Sequence, residues 1–278
     1  MKLHITEYKL KDCKFIKAYS EVKKKRVLKS SLSKSSSLLS LSSSSSSLSP
    51  SFSTVNYVNK NILDHLNRND VILDPAGLEY IQKNMIGASG ASGAIYTSLL
   101  DTNDFNKEVK DFFKKYNENK DLYVKNGEYI RIPKLSISSE YDLVKNQGKI
   151  NLIHAVGPDF TSSKVLENIL INDKGKLFML FFTLYESIIL NFLTLYEKNK
   201  HLKLRLLPIS MGVFLDIDNI DTTQKHNLRI KIFKIIIKAL SIILQKYHQL
   251  QQKGLITMYL INKLDFIEYD TIIKKLLI

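Results

Sequence analysis

The sequence predicts one three-layer α/β domain, a mixed and largely parallel sheet with helices on both faces. Three observations carry this reading. From residue 54 onward, short apolar runs alternate with longer helix-like stretches, the pattern of a parallel sheet covered on both sides. Hydrophobic residues make up 44% of the 278 residues and aromatics 10%, enough for a sizeable core. Near the start, a stretch of almost pure Ser and Leu at 30–53 lacks the material to join that core.

In chain order, residues 1–29 contain KLHITEYKL and KFIKAY, which alternate as strands of the same domain would. KKKR at 23–26 reads as a solvated flank of the tract that follows. Residues 30–53 carry one charge, Lys34, and cannot offset their ordering entropy. They are expected to be a disordered insertion, a class of loop that costs only about 0.6 kcal/mol per doubling of length. The core then spans 54–278. DVIL at 70–73 reads as a short buried strand, and AIYTSLL as the start of a helix. Asp104–Tyr116 has the charge pattern of a surface helix. EYIRIPKL at 128–135 reads as an edge strand, because Pro133 cannot donate to a ladder. NLIHAVG at 151–157, KLRLLPIS at 203–210 and LITMYLIN at 255–262 read as strands. Leu177–Tyr196, Ile230–Tyr247 and Tyr269–Leu277 read as helices, the second with Lys231, Lys234 and Lys238 on a solvated stripe.

Composition limits the function. The single cysteine, Cys13, allows no intramolecular disulfide, which suits a reducing compartment, cytoplasmic or nuclear. The six histidines form no metal-ligand pattern, so neither a metal nor a cofactor is expected. The N-terminus lacks the apolar run of a signal peptide. Leu177–Leu195 is the one candidate membrane span, interrupted by Thr183, Glu186, Asn191 and Thr194. A charge near the centre of a span costs about 2.5–3.5 kcal/mol on insertion scales. The stretch is therefore read as a buried helix, and no membrane partner is expected. The net charge of +14 comes from lysines spread along the chain, and it leaves a polyanionic partner open.

Two loops could hold an anion. Gly87-Ala88-Ser89-Gly90-Ala91-Ser92-Gly93 places small residues just before a helix, where backbone N–H groups can approach a phosphate. No Gly-Lys-Ser/Thr follows, so it is not a Walker loop. The run KLRLLPI leads directly into Ser210-Met211-Gly212-Val213-Phe214, at the strand end where open α/β sheets bind ligands.

These residues resemble the macrodomain family of ADP-ribose-binding modules. DVILDPAG at 70–77 looks like the family's DAIVNAAN, and GASGASGAI at 87–95 like its GGGVAGAI loop. INLIHAVGPDF at 150–160 is similar to its VIHAVGP strand, and LLPISMGVF at 206–214 to its FPAISTGVF loop. The resemblance covers residues 56–277 and marks the chain as a divergent member. It implies a macrodomain-like α/β/α fold and a cleft for ADP-ribose or an ADP-ribosylated protein. It assigns the phosphates to Gly90, Ala91, Ser92 and Gly93 and to Ser210, Met211, Gly212, Val213 and Phe214. It assigns the adenine side to Asn61 and Ile62, and the distal ribose side to Asp74, Gly77 and Gly87.

The departures bear on activity. The Asp expected near the adenine is Asn61. The two asparagines of NAAN are Asp74 and Gly77, and Gly77 has no side chain to orient a ribose. Ser92 stands where hydrolytic members often carry Asp, and Leu215 replaces the final glycine of the second loop, where it would narrow the cleft or shield the phosphates. Asp74 is then the one candidate catalytic carboxylate. His154 is expected to be a hydrogen-bonded core residue. The expected function is binding by a monomer without efficient hydrolysis. The alternatives are an ADP-ribosyl hydrolase with an atypical site and a nucleic-acid-binding macrodomain.

Overall fold

The computed structural model describes residues 55–82, 88–99, 107–118, 124–125, 128–129, 136–144, 148–161, 164–218, 220–260 and 263–277. The strands expected in 1–29, Cys13 and the serine-rich segment 30–53 lie outside the described residues.

The elements in chain order begin with β1 (Val55–Val58), β2 (Asp70–Pro75), α1 (Leu78–Gln82), α2 (Gly90–Tyr96) and α3 (Lys107–Glu118). Two-residue strands β3 (Val124–Lys125) and β4 (Glu128–Tyr129) precede β5 (Ser136–Asp142) and β6 (Lys149–Ala155). Then come α4 (Lys164–Asn172), α5 (Lys174–Lys198), β7 (Lys203–Leu206), α6 (Thr222–Lys246), β8 (Ile256–Tyr259) and α7 (Lys263–Leu277).

Six strands form one sheet in the order β1-β8-β7-β2-β6-β5. Every neighbouring pair is parallel except β5 with β6. The sheet is thus mixed and mostly parallel. Strand β2 is buried at five consecutive positions, Asp70 to Asp74, which requires cover on both faces. Helix α5 packs on β5 and β6 and against α6, while α2 packs on β2 and α3 on β5. The architecture is three-layer α/β/α.

The long apolar stretch forms α5, 25 residues, long and apolar enough to cross a membrane but mostly buried within the fold. Its polar residues have partners. Glu186 accepts from Lys246 of α6 at 2.6 Å, Asn191 donates to the Ser136 carbonyl at 2.9 Å, and Thr194 donates to Leu190 O at 3.0 Å. Asp173 caps α5 by accepting from the Lys176 N–H, and Asp221 with Gln224 forms a capping box at the start of α6.

Two expectations move. Of the run 128–135, Glu128–Tyr129 pairs with Val124–Lys125 in a separate two-stranded ribbon rather than in the main sheet, and 130–135 lie outside the described residues. The main sheet's edge is Ser136–Asp142, whose serines conceal its alternation of buried and open positions. Strand β7 ends at Leu206 rather than Ser210, because Pro208 offers no N–H to a ladder.

Candidate functional site

Strands β7, β2 and β6 are adjacent and parallel, so the segments after Leu206, Pro75 and Ala155 leave the sheet at one edge. Direct contacts join two of these segments. The Phe160 N–H donates to the Phe214 carbonyl at 3.0 Å. Gly157 lies so close to the other loop that a Cβ there would come within 2.2 Å of Ile209 Cγ2 and 2.3 Å of Ser210 Oγ. Only glycine permits that approach.

The 207–216 segment is held from below and from the side. Buried Tyr185 of α5 donates its hydroxyl to Leu207 O at 2.9 Å and accepts from the Ile209 N–H at 3.1 Å. Burial raises the Tyr185 pKa well above the ordinary tyrosine value, so the hydroxyl stays protonated and able to donate. From α6, Arg229 Nε donates to Met211 O at 3.1 Å, and Lys225 pairs with Asp216. Between these anchors Ser210 takes φ +61°, the left-handed region, which is costly for a serine. Its side chain is 7% exposed, and its Oγ is the buried side-chain polar atom left without a hydrogen-bond partner among the described residues. A buried hydroxyl without a partner costs about 1–3 kcal/mol. Met211 and Phe214 are half-buried, Gly212 is exposed and Val213 is 74% exposed. Leu215 is fully buried and belongs to the core.

The helix begins earlier than expected: only Ala88 and Ser89 precede α2, Gly90–Gly93 form its first turn, and the N-cap Ser89 is extended and makes no side-chain cap. The Gly93 N–H donates to Ser89 O at 3.2 Å. The N–H groups of Gly90, Ala91 and Ser92 therefore precede the first intrahelical bond. Gly90 needs its glycine, with φ +62°. Gly93 is packed rather than open, since a Cβ there would sit 2.4 Å from Ala88 O.

Asp74 is turned away from this edge, into the protein. It is fully buried and accepts from the Ser92 hydroxyl (2.7 Å), the Tyr96 hydroxyl (2.6 Å) and His154 Nδ1 (2.7 Å). His154 Nε2 meets the Tyr141 hydroxyl at 2.8 Å. Since a carboxylate can only accept, the Nδ1 proton faces Asp74. The Tyr96 pKa is raised by burial first, then by the Asp74 charge and hydrogen bond. The Tyr141 pKa is raised chiefly by burial. His154 is the hydrogen-bonded core residue expected. Tyr96 and Tyr141 were missed, although Tyr96 stands four residues after Ser92 on the same helix face.

On the distal side, Gly77 is half-buried and the Tyr80 ring covers it, with Cδ2 2.9 Å from where a Cβ would stand. Gly87 lies outside the described residues. On the adenine side, the Asn61 carbonyl oxygen accepts from the Leu63 N–H at 3.1 Å, so its acceptor already serves a local turn. Ile62 is 1% exposed and points into the core. Behind this turn Arg205 of β7 donates to the carbonyls of Ile62, Asp64 and His65 and pairs with Asp70 at 2.7 Å. Arg205 was not expected; a buried arginine two residues into a strand is its only sequence signal. The described residues hold no cluster of His, Cys, Asp and Glu able to bind a metal.

The chain is similar in structure to macrodomains. The Oceanobacillus iheyensis macrodomain with ADP matches at 19% identity over 79% of this chain and 90% of its own, with a TM-score of 0.44. Poly(ADP-ribose) glycohydrolase from Deinococcus radiodurans, in complex with ADP-ribose, matches at 11% identity over 80% and 83%, with a TM-score of 0.49. An alphavirus P23pro-zbd structure matches at 15% identity over 80% of this chain and 23% of its own, with a TM-score of 0.40. No family model and no curated protein matches the chain. With every one of these scores below 0.5, the site is read from this chain's own residues.

Proposed function

We propose that this protein binds ADP-ribose, free or carried on a protein, through the 90–93 and 210–214 segments, and turns it over slowly or not at all. The observation that carries this is Ser210. Ser210 is strained and its hydroxyl has no partner among the described residues, so a ligand oxygen that reached it would complete its bonding. Backbone N–H groups of Gly90, Ala91 and Ser92 supply further donors that suit a pyrophosphate. The motif resemblance supports ADP-ribose as the molecule that carries it. Against hydrolysis stands Asp74. Its two oxygens already accept three hydrogen bonds, which leaves no carboxylate in that loop to take a proton from water.

Gly212→Glu is the test. A Cβ at Gly212 meets nothing within 4 Å, so the fold should survive. The added carboxylate would repel the pyrophosphate. In calorimetric titration the affinity for ADP-ribose should fall more than about tenfold, or about 1.4 kcal/mol, at an unchanged thermal midpoint. Equal affinity in wild type and variant would overturn the site.

A further inference from the structure

We propose that Asp74 is a positioning residue: its buried carboxylate holds the 88–93 loop in place through Ser92 and Tyr96, and Tyr141 and His154 hold the carboxylate. The pairing register carries the first step. Asp74 and His154 are direct partners on the parallel strands β2 and β6, so their side chains leave the sheet on one face, side by side. Oδ2 is occupied by His154 and by Tyr96, and Oδ1 by Ser92, whose hydroxyl also lies 3.0 Å from Pro75 O. Ser92 and Tyr96 are one helical turn apart on α2, so two bonds to one carboxylate fix both the position and the rotation of that short helix. The helix has only seven residues and would be marginal alone.

On the far side the relay continues to β5. Tyr141 meets His154 both by hydrogen bond and by an edge-on ring contact with centroids 5.5 Å apart. The edge strand, the central strand and the loop are thereby joined through groups that are nearly or wholly buried: Asp74, His154, Ser92, Tyr96 and Tyr141. A charge buried this deeply is tolerated only while its acceptor sites are filled, so the network tolerates few substitutes. Asparagine keeps the shape of Asp74 but replaces one acceptor oxygen with a donor, which opposes either Ser92 or the His154–Tyr96 pair.

The inference rests on the proposed phosphate loop only for its ligand readout; the structural readout stands alone. Amide hydrogen exchange without ligand comes first. Asp74→Asn should speed exchange of the Gly93 and Thr97 amides about tenfold or more, relative to the Leu204 amide in the sheet. Ser92→Ala, which removes a single donor and folds more readily, should do the same to a smaller degree. Tyr141→Phe, which removes the hydroxyl that meets His154, should loosen α2 as well. The second readout is ADP titration at a temperature where all variants are folded. Affinity should fall in step with the loss of α2 protection. Uniform acceleration across sheet and helix would reduce Asp74 to a general core residue and overturn the inference. Unchanged α2 protection would overturn it too. If wild type binds no ADP or ADP-ribose, the functional reading fails, while the exchange data still decide the role of Asp74.

Discussion

At the scale of single residues, side-chain direction separates binding from catalysis. Asp74 was the one carboxylate the sequence offered for chemistry, and the fold spends it on Ser92, Tyr96 and His154. Gly77 offers no side chain, and the Tyr80 ring covers the place where one would stand. Multiple-turnover release of ADP-ribose from a mono-ADP-ribosylated protein should therefore be absent over minutes at excess substrate. Sustained release would show that some other group activates water. The glycines divide in a way that sequence does not reveal. Gly93 looks like an open phosphate contact, but its Cβ position is blocked by Ala88 O, so any substitution there would distort the loop and could not report on a ligand. Gly212 is open and can. Asn61 keeps the polarity of an adenine contact, and its side-chain Oδ1 also accepts from the Leu63 N–H in a local turn.

At the scale of elements, the lysine stripe on α6 is not a solvated face throughout. Lys231, Lys234 and Lys238 are all half-buried. Lys231 donates to the carbonyls of Leu170 and Ile171, capping the C-terminal end of α4. Burial, with the Lys174 charge adding to it, lowers the Lys231 pKa from 10.5 to about 8. The folded state then gives up this proton before the unfolded chain does. Between about pH 8 and 10.5 the unfolded chain binds more protons, so this group's contribution to stability rises with pH across that window. The thermal midpoint of wild type should accordingly gain on that of Lys231→Met as pH rises from about 7.5 to about 10. A constant difference would show that the ammonium carries no penalty. The edge strand is a matter of position: Glu128–Tyr129 pairs with Val124–Lys125 outside the main sheet, and among the described residues one edge of that sheet falls to the serine-rich β5.

At the scale of the molecule, the +14 charge raises the question of polyanions. Lysine-driven binding to single strands should weaken steeply with salt, with a log–log slope of about −0.7 per neutralised phosphate. ADP-ribose should not displace such binding, because small-residue loops and not a basic patch form the proposed cleft. Displacement by low micromolar ADP-ribose would place both ligands in one shared cleft, whereas salt-sensitive binding that ADP-ribose never displaces implies a separate basic surface and favours the nucleic-acid alternative.

The alternation of strand and helix, the apolar core helix and the two small-residue loops were legible from residue order alone. Each depends on neighbours within a few positions: periodicity, a cap, a proline, a run of glycines. The polar logic of the site was not. Asp74 meets His154 across 80 residues of sequence, and Arg205 reaches Ile62 across 143. Whether a carboxylate faces solvent or core, or a lysine faces water or a helix end, depends on which strands become neighbours. That choice is made by sheet order and register, which local patterns do not encode. The sequence by itself determined the layers and marked out where the loops would lie. The tertiary structure alone decided that Asp74 points inward, that Leu215 is core and that the Ser210 hydroxyl is left without a partner among the described residues, because each outcome requires groups the chain brings together only on folding.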